Sequence, residues 1–174
     1  MKSTITNFLI TGQKKCGKSY LINQIVKDLS FTCGGFQTLP YYIEQERKGF
    51  YFHSLTKVMQ YENNLPISVQ PTLHSCIGIG QTFNTLGVEC LTKSIHSESQ
   101  CIIMDELGKF EREESPFHHA VEQVLDSQYL VFAVVKKESI PWLEPIKNRR
   151  DILLYDLDCM TQKQAYEEII QEIK

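Results

Sequence analysis

Gly12-Gln-Lys-Lys-Cys-Gly-Lys-Ser19 spells G-x-x-x-x-G-K-S, and the residues on either side decide what it means. Upstream, Ile5–Thr11 is apolar and β-prone; downstream, residues 20–29 (Tyr-Leu-Ile-Asn-Gln-Ile-Val-Lys-Asp-Leu) carry apolar side chains at helical spacing. Strand, tight loop and helix in that order make a phosphate cradle. Gly12 and Gly17 let the backbone curl so that successive N–H groups point inward at the positive end of a helix. Lys18 is the cation that reaches the β- and γ-phosphates, and the Ser19 hydroxyl is a ligand for Mg²⁺. Gln13, Lys14, Lys15, Cys16 and Tyr20 complete the lining. The segment is expected to bind a nucleoside triphosphate, ATP or GTP.

Outward from the loop, strands and helices alternate. Phe31–Thr38 reads as a second strand. Tyr41–Glu44 and Gly49–Leu55 bracket the polar run Gln45-Glu-Arg-Lys48, which predicts a β-hairpin insertion near residues 41–55 with a charged tip. Residues 56–80, with Pro66, Pro71 and two glycines, read as loop or short strands. Thr82–Ile95 has the amphipathic spacing of a helix. Gln100–Met104 and Tyr129–Val135 are short continuous apolar runs, as strands buried on both faces require. Ser115-Pro-Phe117 opens a helix through about Asp126, and Pro141–Asn148 is a short helix. Asp151–Leu157 reads as a strand and Thr161–Ile173 as a closing amphipathic helix. The expected fold is α/β: one P-loop domain over residues 1–174, a mostly parallel sheet flanked by helices.

A second signature lies in Cys101-Ile-Ile-Met-Asp-Glu106. Four apolar-run residues lead into an acid that emerges at the carboxyl end of its strand, beside the phosphate loop. Asp105 there handles Mg²⁺, together with Ser19. Glu106 can face the γ-phosphate and polarise an attacking water, a task a kinase does not need because its acceptor brings the nucleophile. Arginines matter equally, since phosphoryl transfer is governed by electrostatics. Arg47 and Arg149 are the candidates for a catalytic cation or phosphate clamp. The adjacent His118 and His119 point about 100° apart on a helix and do not share a ligand geometry easily.

Composition narrows the class. A chain of 174 residues with 42% hydrophobic content can close one substantial core. A net charge of −3 gives no bulk attraction to nucleic acid. Its six cysteines form no C-x-x-C pair, which fits reduced thiols in a cytoplasmic protein. No apolar run approaches the length of a membrane span and no signal peptide is legible.

These residues together resemble the small P-loop nucleoside-triphosphatases first characterised from thermophiles. Gly35-Phe36-x-Thr38 with Arg47-x-Gly49-Phe50 is similar to their G-F-x-T and R-x-G-F elements. Asp105-Glu-Leu-Gly-Lys-Phe-Glu111 looks like their D-E-I-G-K-M-E, continued by Ser115-x-Phe117. Ile146-Lys-Asn-Arg-Arg-Asp151 resembles their I-x-N-R-x-D. The resemblance implies a nine-strand-type α/β sheet and slow, Mg²⁺-dependent hydrolysis of triphosphates with little base preference. It implies catalytic roles for Lys18, Glu106, Arg47 and Arg149, and local positioning for Lys109 and Glu111. The chain departs from that pattern at Lys15, Leu39–Tyr42 and Thr161–Lys163, and where Tyr129–Val135 runs into Lys136-Lys137 without the polar Thr that relatives often carry. Two other classes stay open on these residues: a nucleotide-binding regulator with little turnover, and a small-molecule or nucleoside kinase.

Overall fold

The structure is a computed structural model, and it describes residues 6–174. Eight strands form one mixed sheet. Five are parallel: β1 (Asn7–Thr11), β2 (Cys33–Ile43), β6 (Cys101–Leu107), β7 (Leu130–Val135) and β8 (Ile152–Asp156). The antiparallel extension is β3 (Glu46–Ser54), β4 (Leu65–Thr72) and β5 (Ser75–Gly78). The spatial order is β5-β4-β3-β2-β6-β7-β1-β8. Eight described strands stand where the resemblance implied nine, and Ile5, expected to open the first strand, lies outside the described residues.

Alternation along each parallel strand divides the core between two layers. Phe8 and Ile10 of β1 face Leu21, Ile22 and Ile25 of α1 (Lys18–Asp28) and Ala165 and Ile169 of α5 (Gln162–Ile173). Leu9 faces the other way, into a cluster with Phe36, Phe52, Phe83, Phe117 and Val121. That second layer is built by a π-helical turn (Phe83–Gly87), α2 (Val88–Ser94), α3 (Ser115–Leu125) and α4 (Leu143–Lys147). The aromatic packing is close: the Phe36 and Phe52 rings stack at 4.4 Å, and Phe83 meets Phe117 edge-on at 5.0 Å.

The hairpin is larger than the sequence predicts. The segments expected as separate strands at 31–38 and 41–44 are one strand, β2, whose residues 33–37 pair with β6 and whose residues 36–43 pair with β3. The turn is only Glu44-Gln45, both at positive φ (50° and 68°), the conformation that two-residue hairpins need. Glu46, Arg47 and Lys48 therefore belong to β3 rather than to a charged tip. Pro66 and Pro71 sit in β4, where the ladder is irregular, and β4–β5 fill part of the region read as loop or short strands.

Candidate active site

The chain leaves β1 at Thr11 and enters α1 at Lys18, so the phosphate loop stands at the carboxyl end of the parallel strands. Gly17 takes φ 94°, a left-handed backbone angle that favours glycine. Lys15 holds φ 65° in mid-loop, an angle that costs a β-carbon-bearing residue ~1 kcal/mol. The Lys18 ammonium folds over the loop and donates to the carbonyls of Gly12 at 3.0 Å and Gln13 at 2.6 Å. Gln162 Nε2 donates to the Cys16 carbonyl at 2.9 Å, and the Gln13 N–H donates to Asp158 Oδ1 at 3.0 Å. Lys137 ties Asp158 to Asp156 at 2.7 and 2.9 Å. Gln162 and Lys137 stood out in the sequence only as departures from the family pattern and Asp158 not at all; they lie about 120–150 positions along the chain from the loop they brace.

The strand β7 lies between β1 and β6, so the loop and the acidic pair face each other across its carboxyl end. Asp105 pairs with Val134 and Leu107 with Val135, leaving Glu106 as the extra residue of a bulge. Such a bulge re-aims a side chain. Asp105 is 8% exposed. Burial pushes its pKa up to about 6, while the facing Ser19 hydroxyl works against that rise. Glu106 Oε1 lies 2.5 Å from the Lys136 ammonium. Among the described residues no three His, Cys, Asp or Glu side chains gather as a metal site of their own.

A cleft of about 530 Å³ is lined by Gly12, Gln13, Lys14, Lys15, Gly17, Lys18, Ser19, Tyr20, Asp105, Glu106 and Lys136. Cys16 of the same loop is half-buried beneath it, its sulfur 3.7 Å from Lys18 Nζ. The structure thus brings together every loop residue expected from the sequence and both acids. Beyond Glu106 lies a second cavity of about 260 Å³, where Arg47 and Phe110 join the shared wall of Lys14, Thr38, Phe50, Glu106 and Lys136. Arg47 Nε donates to Gln70 at 3.0 Å, and its guanidinium stands 5.2 Å from the Phe50 ring centre.

Arg149 requires a correction. It donates to Asp126 at 2.7 Å and to Asp151 at 2.9 and 2.6 Å, and it holds the Asp151 carboxyl below the usual carboxylate range. Asp151 also accepts from Asn7, which starts β1 and is in register with Ile152 at the start of β8. Five residues of β1, about 16 Å of strand, separate that end from the loop. Arg149 is a tie at the amino end of the sheet. Arg149→Ala should lower thermal stability by about 1 kcal/mol, roughly 2–4 °C, because its ion pairs are partly exposed. Triphosphate hydrolysis should stay within about twofold of wild type; a loss of turnover with the melting temperature unchanged would restore it to the site.

The D-E-x-G-K-x-E string shapes the floor of the site. Glu111 is 1% exposed and accepts the Gly108 N–H; burial pushes its pKa up to about 7 against that hydrogen bond. Lys109 is exposed and lines the second cavity. His118 donates through Nε2 to the Glu111 carbonyl at 2.6 Å and stacks on Trp142 at 4.2 Å, so this histidine braces the same turn.

A family model described as NTPase matches residues 7–170. The nucleoside-triphosphatase THEP1 of Thermotoga maritima is 31% identical over 172 residues, 95% of this chain and 94% of that protein. The THEP1 of Methanothermobacter thermautotrophicus is 28% identical over 169 residues, 93% and 92% of the two chains. In fold, the chain is similar to the crystal structure of THEP1 from the hyperthermophile Aquifex aeolicus, with a TM-score of 0.69 at 22% identity over 94% and 96% of the two chains. The solution structure of a human cancer-related nucleoside triphosphatase gives a TM-score of 0.69 at 18% identity, covering 97% of each chain.

Proposed function

The chain belongs to this NTPase family, and from that premise we propose that it hydrolyses nucleoside triphosphates, ATP and GTP among them, to the diphosphate and phosphate. The observation that carries the reading is the single cleft in which Lys18 and Ser19 face Asp105 and Glu106 across β7. Lys18 exchanges its loop carbonyls for the β- and γ-phosphate oxygens, where a charged acceptor binds it more strongly. Glu106 takes a proton from water as the water oxygen bonds to the γ-phosphorus and the bond to the β–γ bridging oxygen breaks. Arg47, which lines the neighbouring cavity together with Lys14 and Glu106, is the cation for charge developing on the γ-phosphoryl group.

Mg²⁺ suits the donors present. Ser19 and Asp105 offer oxygen only, and a hard cation that keeps several waters and substrate oxygens needs no more from the protein. When bound, the ion supplies neutralisation of phosphate charge. Ser19 and Asp105 are the residues that would hold it.

Broad base tolerance and slow turnover belong to the same reading. Residues 161–163, where the chain departs from the family pattern, offer no buried polar group to a base. Thr161 caps α5 through Gln164, Gln162 holds the loop, and Lys163 points into solvent with 84% of its side chain exposed. A site without buried groups matched to a base edge discriminates weakly. The one continuous sheet supports a single domain over residues 1–174. Six unpaired thiols support a cytoplasmic setting, and no helix among the described residues is long and apolar enough to cross a membrane.

Phosphate release from Mg·ATP, GTP, CTP and UTP, with and without added hydroxyl acceptors, tests the proposal. All four should be hydrolysed within about one order of magnitude in kcat/KM, without any acceptor. Release that requires an acceptor would make the protein a kinase. Tight binding with no release would make it a nucleotide-dependent regulator.

A further inference from the structure

Lys136 occupies a strand end that looks into both halves of the site. It follows β7, the strand between the phosphate loop and the acidic pair. Val135, just before it, accepts the Thr11 hydroxyl at 2.9 Å, where the chain turns into the loop. On the other side the Lys136 N–H donates to the Leu107 carbonyl at 3.0 Å, directly after the acidic pair. Adjacent strands lie about 4.8 Å apart, so this backbone is one strand spacing from each motif. The side chain lines both the loop cleft and the cavity beyond Glu106.

Its stem runs over a fixed floor. A Cβ on Gly108 would stand 2.9 Å from Lys136 Cγ, so the lysine stem takes this path because Gly108 lacks a side chain. Gly108 is itself held twice, by its N–H to Glu111 and by its carbonyl accepting the Trp142 indole N–H at 2.9 Å. The ammonium that emerges lies 2.5 Å from Glu106 Oε1, on the carboxylate that must collect a proton from water. A carboxylate oxygen held that closely by an ammonium has a lone pair committed to that contact.

We propose that Lys136 is a γ-phosphate-binding catalytic residue: a bound triphosphate draws its ammonium from Glu106 to the γ-phosphate oxygens, which frees the carboxylate for the water. A γ-phosphate carries more negative charge than one carboxylate, and at equal distance the ammonium goes to the larger charge. A diphosphate ends short of that position and leaves the pair closed. The base is then armed only when there is a bond to hydrolyse. This rests on the reading of Glu106 as the base.

Calorimetry with ADP and with the β,γ-imido analogue of ATP, beside single-turnover hydrolysis of Mg·ATP, tests it in Lys136→Gln and Lys136→Arg. Lys136→Gln should bind ADP within about twofold of wild type but lose roughly 10- to 100-fold in affinity for the imido analogue, the range for one charge-assisted hydrogen bond. Its hydrolysis rate should fall about 100-fold, and Lys136→Arg should recover most of both losses. A structural ion pair would weaken both nucleotides together, and a mere inhibitory latch would make Lys136→Gln faster; either result overturns the proposal. If Lys136→Gln fails to bind ADP, Lys136→Arg decides, since loss of the triphosphate preference in a variant that binds ADP overturns it too. Glu106→Gln measured in parallel separates the two readings. Wild-type hydrolysis in that variant removes the base role, whereas the imido-to-ADP affinity ratio in Lys136→Gln reports on Lys136 regardless.

Discussion

Glu106→Gln should hydrolyse Mg·ATP roughly 10²–10⁴-fold more slowly than wild type while binding it at least as tightly. The substitution keeps the size of the side chain and its ability to accept a hydrogen bond from Lys136, and removes only basicity and charge. The bulge at Glu106 is a backbone feature, set by the register of Asp105 with Val134 and Leu107 with Val135, so it should survive the change. Single-turnover hydrolysis and calorimetry read the two quantities separately. Equal hydrolysis in the two proteins would remove Glu106 from the chemistry, and lost affinity with the rate intact would make it a binding residue.

Lys18→Ala should weaken ATP binding by about 1.5–3 kcal/mol, roughly 10- to 150-fold, the cost of losing a charge-assisted hydrogen bond. The loop itself should remain folded. Gly17 keeps its positive φ, and the loop is braced from outside by Gln162 on the Cys16 carbonyl and Asp158 on the Gln13 N–H. What Ala removes is the ammonium that bridges the Gly12 and Gln13 carbonyls. Calorimetry showing equal affinity would defeat the assignment of this segment as the phosphate cradle.

The parts of the site that were legible in the sequence are those written in consecutive residues. Residues 12–19 and 101–106 each carry their own strand context, so both the element and the direction in which it points could be read. Arg149 shows where that stopped. Its sequence neighbourhood matched a motif, but it precedes β8, and in a parallel sheet a residue before a strand lies at the end remote from the loop. Lys136 follows β7, and the same rule puts it in the site. The signal was present in both cases and lay in strand polarity rather than residue type. Arg47 was assigned to a hairpin tip because the polar run 45–48 looked like a turn; the turn is two residues and the rest is strand. The bracing by Gln162 and Asp158 was not legible, since it depends on β8 and α5 folding back beside a loop from the other end of the chain.

The water at the centre of this account can be followed directly. Hydrolysis of Mg·ATP by the wild-type protein in water enriched in heavy oxygen should place one heavy atom in the released phosphate and none in the ADP, because the attack is on the γ-phosphorus with the β–γ bridging oxygen leaving. Heavy oxygen in the ADP, or released phosphate that carries none, would contradict it.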